Sequence, residues 1–272
     1  MFGLLRVVTK SPVFSLDSNW LFNQPEKYPF VKWLDRIFLN FPEAVFANGL
    51  AENGGPYTIP EVTMKKIVNV GLIPSYTPLE PSAKREIRAE LGLTEAQKLI
   101  FIYIGSGTTL RRDFHDKCLD LVDALADKYG ETAKVLFVQY EGPDKAILLP
   151  ESRSLLQGDQ FYKYLASADL VFQHQGLGTL EQAISAQVPV IANVNNPAPD
   201  EKYNAHAWEV APFEKAGLCK MHYYNDENSD ILESIDRLLA SEAGTEMKTA
   251  QKSQFSKGEE SLLNHIRQFV QG

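Results

Sequence analysis

The sequence predicts an α/β protein with a Rossmann-like parallel sheet flanked by helices, plus a partial α/β region in front of it. Two observations lead there. From about residue 82 onward, short apolar runs alternate with segments of helical periodicity, the pattern of strand–helix units rather than of hairpins. Residues 169–194 then compress a strand, a glycine-containing turn, a helix and a second strand into one short span. Two strands joined through a helix run parallel.

Taken in order, residues 4–8 read as a buried strand. Residues 11–29, rich in Pro, Asn and aromatics, read as irregular and contain Asp17 and Trp20. Residues 30–39 have helical apolar spacing at Val31, Leu34, Ile37 and Phe38. Residues 44–47 form a short strand, 48–60 a polar loop, and 67–71 a third strand. These elements are few for a self-sufficient domain. They read as the tail of a Rossmann-like domain whose earlier half is missing.

The three prolines of residues 74–81 predict an interdomain linker. Ser82 is placed to cap a helix over 83–91 that Gly92 ends. The apolar run 99–104 is a strand leading into Gly105, Ser106, Gly107 and Thr108. Phe114, Cys118, Leu121, Val122 and Leu125 mark one face of the next helix, and 135–138 is the following strand. Residues 142–144 open a short helix, 154–158 form an edge or short strand, and Asp159 caps a helix over 160–168. A strand from Leu170 stops at His174, a helix runs over 179–187, and 188–194 is again a strand. A helix from Asn204 to its stop at Gly217, a strand over 218–222 and an amphipathic helix at Ile231, Leu232, Ile235, Leu238 and Leu239 follow. Residues 241–258 are polar and weakly patterned, and a last helix spans 259–270. The expected division is a partial Rossmann-like region (1–75), a larger α/β domain (76–257) and a terminal helix (258–272) packing back on the front.

The formal charge of −8 and the lack of a long basic run argue against a nucleic-acid partner. The two cysteines lack metal-type spacing and read as reduced thiols. No stretch has transmembrane length, and the opening residues are too short for a signal-peptide core. These features predict a soluble cytoplasmic protein.

The chemistry concentrates between His174 and Asn204. A turn at the carboxyl end of a strand, opening a helix, gathers free N–H groups at the positive end of a helix dipole. Gly176 and Gly178 let a phosphate approach the backbone, and Thr179 adds a hydroxyl donor. A dinucleotide fingerprint is excluded because Glu181 stands where its third glycine belongs, and no Walker triplet occurs there. Two glycines between a strand and a helix are also common in α/β proteins without ligands. No Asp-x-Asp or His/Cys cluster suggests a metal.

Together, residues 105–107, the run from Ala168 to Thr179 with Pro189 behind it, and Asp200-Glu201 before Asn204 resemble the carboxyl-terminal domain of GT-B glycosyltransferases. The likeness is to the MurG-like and UDP-glycosyltransferase group. It implies a nucleotide-sugar co-substrate of UDP type, no metal cofactor and an unidentified hydroxyl acceptor. By this resemblance Gly105, Ser106, Gly107, Thr108, His174, Gln175, Gly176, Leu177, Gly178 and Thr179 hold the donor diphosphate. Gln157, Gly158, Glu181 and Gln182 meet the nucleoside, and Asp200, Glu201 and Asn204 meet the sugar. Gln182 stands where the family usually has a ribose-binding glutamate, with Glu181 one place early. His174 is the catalytic candidate beside Asp17, the early carboxylate near an aromatic cluster. Three bland readings stand beside these: His174 as a core residue, Asp200-Glu201 as a solvated helix start, and Asp17 as a loop or capping residue. The alternatives to transfer are a nucleotide-sugar hydrolase or 2-epimerase, or a non-catalytic donor-binding subunit. The short front resembles the split N-acetylglucosaminyltransferase of the dolichol pathway, which implies a membrane-bound partner or lipid-linked acceptor.

Overall fold

The computed structural model describes residues 14–18, 44–48, 67–74, 76–104, 111–139, 159–174, 177–196 and 205–271. The chain divides into two compact units, Met1–Ile73 with Ser253–Gly272, and Pro74–Lys252. The expected strand at 4–8, the helix at 30–39, the short helix after Gly142 and the edge strand at 154–158 lie outside the described residues.

The first unit contains a three-stranded parallel sheet of β1 (Phe14–Ser18), β2 (Ala44–Asn48) and β3 (Ile67–Gly71), in that order. β1 corrects the irregular reading of residues 11–29. Its alternation of Phe14 and Leu16 with Ser15 and Asp17 is strand-like, but the surrounding Pro and Asn hide so short a run. Val70 of β3 is buried, with Val68, Ile73, Leu262 and Ile266 packed against it.

The second unit is a five-stranded parallel sheet. Its strands are β4 (Lys98–Ile104), β5 (Ala133–Gln139), β6 (Leu170–His174), β7 (Val190–Val194) and β8 (Lys220–Tyr223), in the order β5-β4-β6-β7-β8. Its helices are α1 (Pro81–Glu90), α2 (Arg111–Tyr129), α3 (Asp159–Ser167), α4 (Leu177–Ser185), α5 (Ala205–Lys215) and α6 (Asn228–Leu239). The final helix α7 (Ser241–Gln271) begins in this unit and ends in the first.

Both faces of the sheet are covered, so its central strands are mainly apolar, with the buried polar Gln173, His174 and Asn193 only toward the carboxyl ends of β6 and β7. Ile100, Ile102 and Ile104 pack with Leu121 and Leu125 of α2 and Ile235 of α6. On the opposite face Phe101 and Tyr103 meet Phe161 of α3 edge-on, with ring centroids 5.4 and 4.8 Å apart. Cys118 and Cys219 are both buried, and burial pushes their thiols well above the usual cysteine range.

Helix ends refine three expectations. Ser82 is not the cap of α1: Glu80 is, without a side-chain cap bond, and Pro81 occupies the first turn, where its missing N–H costs nothing. Gly217 ends α5 as expected, at φ +72°. Its N–H bonds Glu214 O while the Leu218 N–H bonds Phe213 O, the paired pattern of a left-handed stop. α4 ends in the same bond pattern, but there Gln187 adopts φ +56°.

The largest correction concerns residues 241–258, which belong to one 31-residue helix with the terminal segment. Its inward stripe is Gly244, Met247, Gln251, Phe255, Gly258 and then Leu262, three and four apart as a helix requires. A Cβ on Gly258 would lie 1.9 Å from the Leu72 carbonyl oxygen, and one on Gly244 2.2 Å from that of Leu238. Gln251, fully buried, donates to the carbonyls of Val188 (3.1 Å) and Leu218 (2.9 Å). The stripe is thus glycine, amide and apolar residues mixed, which hydrophobic periodicity does not register.

Candidate active site

The order β5-β4-β6 makes the chain reverse its direction of growth across β4, so a topological switch point lies between β4 and β6. Open α/β sheets bind ligands at the carboxyl ends of such strands. Tyr103 pairs in register with Gln173, so β4 and β6 finish side by side at Ile104 and His174. The two glycine segments singled out in the sequence leave from these neighbouring ends.

α4 begins at Leu177, two residues earlier than the periodicity suggested. Leu177, Gly178 and Thr179 therefore form its first turn, where N–H groups have no partner within the helix. Among the described residues, a Cβ on Gly178 would meet nothing within 4 Å. Packing against them does not demand glycine there. The side chain of His174 is buried, with Nε2 3.3 Å from Asn195 Oδ1 just beyond β7. The neighbouring Asn193 is also buried and donates to the Tyr223 carbonyl at 3.3 Å. A row of polar groups thus follows the carboxyl ends of β6, β7 and β8.

One turn along α4 the two nucleoside candidates part, as a 100° step requires. Gln182 Nε2 donates to the Tyr76 hydroxyl at 3.2 Å. Tyr76 stacks on Tyr162 at 4.3 Å, and the Tyr162 hydroxyl donates to the Thr77 carbonyl. Burial pushes the Glu181 carboxyl from 4.5 up to about 7. Beside the first turn of α4 this places a carboxyl that changes charge near neutrality.

Asp17 lies on β1, paired in register with Ala47, within the first unit. Gly105, Ser106, Gly107, Thr108, Gln157, Gly158, Gln175, Gly176, Asp200, Glu201 and Asn204 lie outside the described residues. Sequence reasoning missed Asn195, Tyr76 and Tyr162. An amide just past an apolar strand signalled the first, and a tyrosine inside a proline-rich linker the second. Tyr162 carried no signal of its own. Among the described residues no group of three or more His, Cys, Asp or Glu could hold a metal ion, and no helix is long and apolar enough to cross a membrane.

The family model for the glycosyltransferase family 28 C-terminal domain matches residues 102–262. The chain belongs to this family. The resemblance read from the motifs thus holds for both family and fold. Among solved structures, MnaA of S. aureus in complex with UDP is 16% identical, with 99% of this chain and 72% of that chain covered at a TM-score of 0.59. The glycotransferase of kitacinnamycin is also 16% identical, with 95% and 69% covered at a TM-score of 0.51. Identities this low show the shared fold alone. No curated protein sequence matches.

Proposed function

We propose that this member of the family transfers a sugar from a UDP-type donor to a hydroxyl acceptor, with the donor diphosphate on the first turn of α4. The observation that carries this reading is the helix start at Gly178, uncrowded by any described residue, at the switch point of the sheet and next to the buried His174. Glycosyl transfer develops positive charge at the anomeric carbon and negative charge on the departing diphosphate. Fixed N–H donors at a helix N-terminus stabilise that negative charge without reorganising. The Thr179 hydroxyl adds a donor to the same group. His174, oriented by Asn195, supports the phosphate side of the site. Gln182 and Glu181 face the nucleoside, Asp200, Glu201 and Asn204 the sugar, and Asp17 is the acceptor-side base. The UDP held by the S. aureus protein supports the choice of base.

Calorimetric titration with UDP, GDP, ADP and NAD tests the reading. Saturable UDP binding, lost in both Thr179→Arg and His174→Ala, supports it. Selective NAD binding, or UDP affinity unchanged in both variants, overturns it. With UDP-sugars and no acceptor, stoichiometric release of free sugar would reassign the site to hydrolysis.

A further inference from the structure

A second polar constellation lies outside the donor turn. His222 of β8 is buried, with Nδ1 2.9 Å from Asp226 Oδ2 and Nε2 2.8 Å from Ser234 Oγ. Asp226 Oδ2 also accepts the Tyr223 N–H at 3.0 Å, which fixes the carboxylate. A carboxylate facing Nδ1 places the ring proton there, leaving Nε2 to accept the proton of the Ser234 hydroxyl. Ser234 lines a cavity of about 480 Å³ whose apolar wall includes Leu238, Met247 and Ala250. Arg237, three residues on and therefore on the same side of α6, lines it too. A simple staple between β8 and α6 would need neither a hydroxyl at a cavity wall nor a guanidinium beside it.

We propose that Ser234, His222 and Asp226 form a second, hydrolytic site that takes a short-chain carboxylic ester. The order and contacts are those of a nucleophile, a general base and its orienting carboxylate. Ser234 Oγ attacks the ester carbonyl carbon as its proton passes to His222 Nε2. The carbonyl electron pair moves onto oxygen, where the Arg237 guanidinium offsets its charge. When the carbonyl re-forms, the alkoxide leaves and takes the proton from His222. Water then attacks the acyl-serine, gives its proton to His222 and releases the carboxylic acid, and Ser234 regains its proton. Asp226 holds the ring throughout. The acyl chain lies on Leu238, Met247 and Ala250.

The full chain would be treated with an alkyl fluorophosphonate and, separately, with p-nitrophenyl butyrate. The expected result is a single covalent label mapped to Ser234 by mass spectrometry, together with p-nitrophenolate release. Both should vanish in Ser234→Ala, and hydrolysis should fall about 1000-fold in His222→Asn. Circular dichroism of Ser234→Ala should match the wild type, which separates lost chemistry from lost fold. No label on the folded wild-type protein, a label elsewhere, or ester hydrolysis that survives Ser234→Ala would overturn the proposal.

Discussion

At the amino end of the five-stranded sheet, Arg88 Nη1 donates to Asp169 Oδ2 at 2.8 Å and to the Ser167 carbonyl at 3.3 Å, while Nη2 reaches the Gln97 carbonyl. The same Asp169 oxygen accepts the Leu99 N–H at 2.8 Å, and the Asp169 N–H returns a bond to Leu99 O. At the carboxyl end, α4 opens its first turn at Gly178, where an added Cβ would meet no described residue within 4 Å, and the polar side chains His174, Asn193 and Asn195 line the strand exits. The amino end is closed by these reciprocal bonds, whereas the carboxyl end gathers polar side chains beside a helix start. The difference teaches which polar residues hold the sheet and which stand at the strand exits, where open α/β sheets bind ligands.

Thr179→Arg should produce the largest separation. A long cation in the first turn of α4 fills the space a diphosphate needs, so UDP affinity should fall at least ~100-fold, about 2.7 kcal/mol, by calorimetry. Its urea midpoint should stay near that of the wild type. Asp169→Ala should do the reverse. It strands the partly buried Arg88 and the Leu99 N–H, costing about 2 kcal/mol in urea unfolding, with UDP affinity unchanged.

Gln187→Gly is a smaller test, still at the amino end. Gln187 holds a left-handed conformation that glycine adopts freely, so the variant should be more stable by about 1 kcal/mol. A drop in its unfolding midpoint would mean that the Gln187 side chain matters more than its backbone.

Glu181→Gln should give the smallest effect and the finest one. Because the folded-state value is raised, the neutral carboxyl favours the folded state. That contribution is complete below 4.5 and is lost as pH rises through about 7. Above that point the carboxylate also repels an anion one helical turn away, weakening UDP binding by about 0.5 kcal/mol. The glutamine variant should show a flat affinity across neutrality, and a pH dependence equal to that of the wild type would remove Glu181 from the site.

How legible these regions were follows from what each residue does. β4, β6 and β7 announced themselves because burial on both faces makes them continuous apolar runs. β3 matched its predicted bounds at Ile67–Gly71. The start of α4 was set two residues late because Leu177 and Gly178 read as turn, although a helix opening tolerates glycine. α7 stayed hidden longest: Gly244 and Gly258 are there for close backbone approach, and Gln251 is buried because two carbonyls take its amide. None of these contributes to an apolar stripe. The Tyr76–Gln182 bond joins residues far apart in sequence and has no local signature.

The buried thiols give the chain a practical property. Both native cysteines are enclosed and resist ionisation, and thiolate character and access control alkylation. A maleimide dye would therefore react selectively with one added surface cysteine under native conditions. Gly178→Cys, where a side chain meets no described residue within 4 Å, would carry such a dye at the helix start and report nucleotide arrival as a fluorescence change.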